Sequence, residues 1–114
     1  MKSLIRFRLA AIVMALFMTI FVPASAQTGW TVQSTVVHLV NTVNGGVNVY
    51  LSPTLTGCVS QSGYGSSYAS IYPDHPGINR IKADLLVAMQ TGQKVQLYLW
   101  DDCKVVESIL IANQ

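Results

Sequence analysis

The chain has 114 residues and a formal net charge of +2, with 51% hydrophobic and only 11% charged residues. Three of its seven cations, Lys2, Arg6 and Arg8, precede the apolar run Leu9–Val22, and the remainder from Gln27 onward carries a net charge of −1. That balance excludes the broad basic surface that nucleic acid or an anionic membrane selects.

In chain order, the first element is a positive segment, an apolar run and the small-residue motif Ala24-Ser25-Ala26. This pattern predicts a secretory signal peptide over residues 1–26, cut after Ala26. The apolar run is short for a bilayer anchor, so no membrane span is expected after cleavage. Residues 27–114 are then expected as a single exported domain, in the periplasm or outside the cell. A domain of this size buries a modest core and benefits from a covalent staple. Cys58 and Cys103 are the only cysteines. In an oxidising compartment they predict one disulfide. Two cysteines so far apart make no zinc site alone, and the two histidines add no recognisable ligand spacing, so no metal and no cofactor is expected.

Trp30–Val43 is rich in Val and Thr and reads as a strand. Asn44-Gly45-Gly46 signals a hairpin turn, and Val47–Leu51 alternates as the partner strand. With Asn44-Gly45 as a two-residue loop, Val40 faces Val49 and His38 faces Leu51. Val36, Val40, Val47, Val49 and Leu51 then share one apolar face, with His38 on it as a core or edge histidine. Ser52-Pro53 ends the strand, and Leu55 and Cys58 are expected to turn back toward the core. Gln61–Ser67 reads as a flexible Gly/Ser loop and Tyr68–Tyr72 as a short third strand. Pro73–Gly77 breaks the chain, with Pro76 suited to the first position of a helix. Ile78, Ile81, Leu85, Ala88 and Met89 recur at helical spacing, and Gly92 suits the C-terminal cap, which predicts a helix over residues 77–91. Val95–Trp100 alternates again, Asp101-Asp102 makes a turn, and Val105–Ile111 is the last strand. The order predicts an α+β fold: a small antiparallel sheet, or an oligomer-binding (OB) type barrel, with one helix and one disulfide.

Two groups of residues bear on function. Asp74 and His75 are adjacent, but no G-x-S-x-G elbow accompanies them, and they read as the polar entry to the helix. Asp101 and Asp102 occupy a turn where Asp is expected. No catalytic site is predicted, and the chain is read as non-enzymatic. The aromatic supply is more informative, because Tyr and Ser on a Gly-rich loop offer flat faces and hydroxyls at low entropic cost. Tyr64, Ser66, Ser67 and Tyr68 are therefore the candidate ligand contacts.

Two resemblances add to this reading. The segment GYGSSYASIYPDHPGINRIKADLLVAMQTG, with LSPTLTGC before it, resembles a family of small exported bacterial proteins, which implies export and one domain but no activity. Gln33-Ser34-Thr35-Val36-Val37 with His38, the helix end Thr91-Gly92-Gln93 and the strand Val95-Gln96-Leu97-Tyr98 are similar to the B subunits of the subtilase cytotoxin and typhoid toxin family. That likeness implies an OB-fold, a homo-oligomeric ring and binding of sialylated glycans, with Ser34 at the position that contacts the sugar. This chain is shorter, and its second cysteine follows the helix where theirs precedes it. The expected function is an exported binding module for a glycan or other small ligand. The alternative is a structural or interaction protein that holds a protein partner through a strand edge.

Overall fold

The structure is a computed structural model and describes residues 28–113. The signal peptide expected over residues 1–26 lies outside them. The elements in chain order are β1 (Gly29–Trp30), β2 (Thr35–Asn41), β3 (Val47–Ser52), a 3-10 turn (Gln61–Gly63), β4 (Tyr68–Ile71), α1 (Ile78–Thr91), β5 (Val95–Trp100) and β6 (Lys104–Leu110). This is the α+β arrangement expected, one helix on one sheet.

The strands form a six-stranded sheet in the order β1-β5-β6-β4-β3-β2. All neighbours are antiparallel except β4 and β6, which meet in a short parallel contact at Ser70 and Lys104. The sheet is not closed. Its two edges nevertheless belong to one stretch of chain, since β1 lies on β5 and β2 on β3. Between them the Ser34 and Val95 backbones exchange both hydrogen bonds, at 2.9 and 2.8 Å.

Period-two alternation sets the core. On β3 Val47, Val49 and Leu51 are buried; on β5 Val95, Leu97 and Leu99 are buried. Ala69, Ile71 and Val105 join them from β4 and β6, and Leu55 and Cys58 turn inward as their composition suggests. The helix closes the core with Ile81, Leu85 and Ala88. Met89, expected there, is 41% exposed, because α1 presents a narrower stripe than its apolar content allows. Pro76 lies one residue before the N-cap, Gly77, and not in the first turn. At the other end Gly92 adopts φ 75°, and its N–H donates to the Ala88 carbonyl, closing the helix as a left-handed glycine does.

The β2–β3 hairpin corrects the expected register. The turn is three residues, Val43-Asn44-Gly45, closed by the Thr42 N–H donating to the Gly46 carbonyl at 2.9 Å. Gly45 sits at φ 90°, the left-handed position of a three-residue hairpin loop. One extra loop residue shifts the pairing by one, so Val40 faces Asn48, Leu39 faces Val49 and His38 faces Tyr50. Such a slip turns each side chain of the strand to the other face. His38 and Val40 leave the apolar face and Leu39 joins it. A bulge between Val36 and His38 then restores Val36 to the core opposite Leu51.

The disulfide Cys58–Cys103 is formed, with Cα atoms 5.2 Å apart and a sequence separation of 45. It ties the segment after β3 to the β5–β6 turn. Asp101, Asp102 and Cys103 in that turn all have positive φ, of 42, 58 and 70°. Asp tolerates this region better than most residues, because its short polar side chain bonds locally.

Candidate ligand-binding face

The outer face of β2–β3–β4 carries a row of rings. His38, Tyr50 and Tyr68 lie on one rung, paired directly across the three strands. Ring centroids are 5.3 Å apart for His38–Tyr50 and 5.2 Å for Tyr50–Tyr68. Tyr64 extends the row from the loop, 5.8 Å from Tyr68. The Tyr50–Tyr68 and Tyr68–Tyr64 rings meet edge to face, the favoured geometry for ring quadrupoles. The Tyr68 hydroxyl lies 3.5 Å from His38 Nδ1, and the Tyr50 hydroxyl 3.3 Å from Thr54 Oγ1. Tyr64 is 48% exposed and His38 is exposed, so both ends of the row face solvent.

The loop that carries Tyr64 is tethered, which corrects the expectation of a flexible Gly/Ser connector. It lies across the outer face of β3 and β4 and covers Asn48 and Ser70, both fully buried. Gln61 pins it there. The Gln61 side-chain amide donates to the Ile71 carbonyl at 2.9 Å, and its Oε1 accepts from Asn44 Nδ2 at 2.9 Å. Its backbone N–H donates to Ser70 Oγ, and its carbonyl accepts from Asn48 Nδ2. Ser70 Oγ in turn donates to Asn48 Oδ1 at 2.7 Å. A buried polar network with every member bonded rigidifies what it holds. Further along, the Cys58 N–H donates to the Ser66 carbonyl, and Ser60 Oγ to the Gly65 carbonyl. Asn44 belongs to the hairpin turn, so the turn and the tyrosine loop are held as one unit. Between them runs a groove of about 300 Å³, lined by Thr42, Val43, Ser62, Gly63 and Tyr64. It is near the lower size of small-molecule sites.

The expected contact residues separate into two groups. Tyr64 and Tyr68 belong to the row, and Ser66 and Ser67 lie beside it in the loop, Ser66 exposed and Ser67 half-buried. Ser34 does not reach this face. It is 1% exposed, its hydroxyl donates to the Val32 carbonyl at 2.7 Å, and its backbone holds β5. A residue committed to the seam between two strands has no polar group left for a ligand. His38 and Tyr50 were not among the expected contacts. Their signal lay in the alternation Asn48-Val49-Tyr50, which puts Tyr50 outward, and in the length of the turn that sets His38 opposite it.

His75 is a structural residue. Its Nδ1 accepts from the Gly77 N–H at 2.9 Å, and its Nε2 donates to the Val106 carbonyl at 2.8 Å. It stands at the helix entry, as read from sequence, and with both nitrogens bonded to backbone it also ties that entry to β6. Among the described residues no group of three His, Cys, Asp or Glu side chains converges to hold a metal ion. Also among them, no helix is long and apolar enough to cross a membrane. No protein-family model, curated protein or solved structure matches this chain.

Proposed function

We propose that the protein is an exported, non-enzymatic binding module that holds a glycan on the ring row His38–Tyr50–Tyr68–Tyr64. The observation that carries this reading is the row itself, three rings on an outer sheet face and a fourth from the loop, with hydroxyls at its side and a groove at its end. Aromatic faces bind apolar ring surfaces, and Tyr, Ser and amide groups supply the hydrogen bonds that hydroxyl-rich ligands require. The rigid loop supports it too, because a preorganised surface loses less entropy on binding.

The strand order supports an OB-like reading. Taking β1 and β2 as one strand, the succession of pairings and the parallel contact between β4 and β6 follow the five-stranded, partly open OB barrel. In that fold the face of the second and third strands and two flanking loops bind oligonucleotides and oligosaccharides. Tyr50 and Tyr68 stand on the outer face of β3 and β4, and the net charge of −1 from Gln27 onward favours the saccharide. The disulfide supports export, since such bonds persist in oxidising compartments. A glycan array followed by calorimetry tests the proposal: binding weakened by Tyr64→Ala and Tyr68→Ala is expected, and a protein that binds no glycan overturns it.

A second reading, an interaction protein working through a strand edge, is favoured by one observation: β2 ends the sheet with Val37 40% exposed. A stable protein partner recovered with the native chain and lost on Val37→Lys would support it over the first.

A further inference from the structure

We infer that the groove between the β5–β6 turn and the entry to α1 is a second binding site, one for a small ring-bearing carboxylate. It lies beyond the far end of β4 from the tyrosine row, and it does not depend on the glycan reading. Its volume is about 330 Å³, and Tyr72, Asp74, His75, Trp100, Lys104 and Val106 are among the residues that line it. That is room for one ring with small substituents.

Three features define the ligand. Trp100 ends a strand whose Val95, Leu97 and Leu99 are fully buried, yet it is 62% exposed, so its indole offers a face to a flat ring. Lys104 stands directly opposite it across β5 and β6, and its ammonium lies 5.3 Å from the centroid of the Tyr72 ring. A neutral ring positions a cation without cancelling its charge, which leaves the ammonium available to a carboxylate. It is one of only four cations in the chain after Ala26. Asp74, exposed at the same groove, can accept a hydrogen bond from a hydroxyl or amine of the ligand. The His75 wall is fixed, because both ring nitrogens are bonded to backbone groups. The site therefore binds and does not offer a free imidazole for proton transfer.

The test uses the chain's two tryptophans, Trp30 and Trp100, whose indole N–H signals separate this groove from the β1 edge. The protein is titrated with 4-hydroxybenzoate and followed by nitrogen–proton correlation spectra. A saturable shift of the Trp100 signal is expected, with a Kd on the order of 1 mM for so small a ligand. Lys104→Met keeps the aliphatic stem over Tyr72 and removes the charge. It should weaken binding about fivefold, the scale of one exposed ion pair, and 4-hydroxybenzamide should bind the native protein more weakly by a similar factor. An unmoved Trp30 signal in the variant shows that the fold is kept; if it moves, the benzamide comparison on native protein decides. The inference is overturned if the Trp100 signal does not move, or if removing the charge from ligand or protein leaves the affinity unchanged.

Discussion

At the scale of single residues, Gly46 and Gln61 matter as much as the rings they support. A Cβ on Gly46 would meet Gln61 Oε1 at 2.1 Å, and the Gln61 amide is held by its own hydrogen bonds and cannot swing away freely. Gly46→Ala should therefore cost about 1–3 kcal/mol in urea unfolding, the usual scale of overpacking. It should also speed amide exchange in the loop around Tyr64, since the loop loses its anchor. Gln61→Ala should have the same effect on exchange through a different route. It takes the side-chain amide away from the Ile71 carbonyl, Asn44 Nδ2 and Asn48 Oδ1, and buried polar groups left unsatisfied cost about 1–3 kcal/mol. None of this was legible in the sequence. Gln61 reads as one polar residue at the start of a loop, and only the folded-back chain shows that it is buried. Ser34 erred in the opposite direction: a serine on a half-polar strand reads as available, yet its strand joins the two edges of the sheet and buries it.

At the scale of elements, the alternating strands and the helix stripe were legible because burial imposes those periods directly. Leu85 is fully buried at the centre of α1, and Leu85→Ala should lower stability by about 2–5 kcal/mol. Met89→Lys, on the exposed side of the same helix, should change it by no more than about 0.5 kcal/mol. The hairpin was half legible. Its place followed from Asn44-Gly45-Gly46, but the loop length did not, since two- and three-residue turns share that composition. The shorter loop puts His38 on the apolar face, and the observed register puts it beside Tyr50. The disulfide is the other element-scale device, and a sequence with two cysteines leaves only one pairing. Closing a loop with 45 residues of separation should contribute about 4 kcal/mol in the chain-entropy account. Reduction should lower the urea midpoint accordingly, and because Cys58 begins the tyrosine loop, it should also raise exchange there.

At the scale of the whole molecule, sequence and structure converge on a small stapled α+β domain, and the structure adds two aromatic surfaces at opposite ends of β4. One is the row of rings on β2–β3–β4; the other is the groove of Tyr72 and Trp100. If the first residues form a signal peptide, mass spectrometry of the natural protein should find Gln27 at its N-terminus, and an uncleaved chain in the cytoplasm would contradict export. Whether the tyrosine row holds a glycan is tested most directly by calorimetry of the best glycan from an array, on native protein and on Tyr64→Ala and Tyr68→Ala. Saturable binding by the native protein is expected, with a loss of about tenfold for each variant, the scale of one aromatic contact. Binding of equal strength in both variants, or no glycan bound at all, would contradict it.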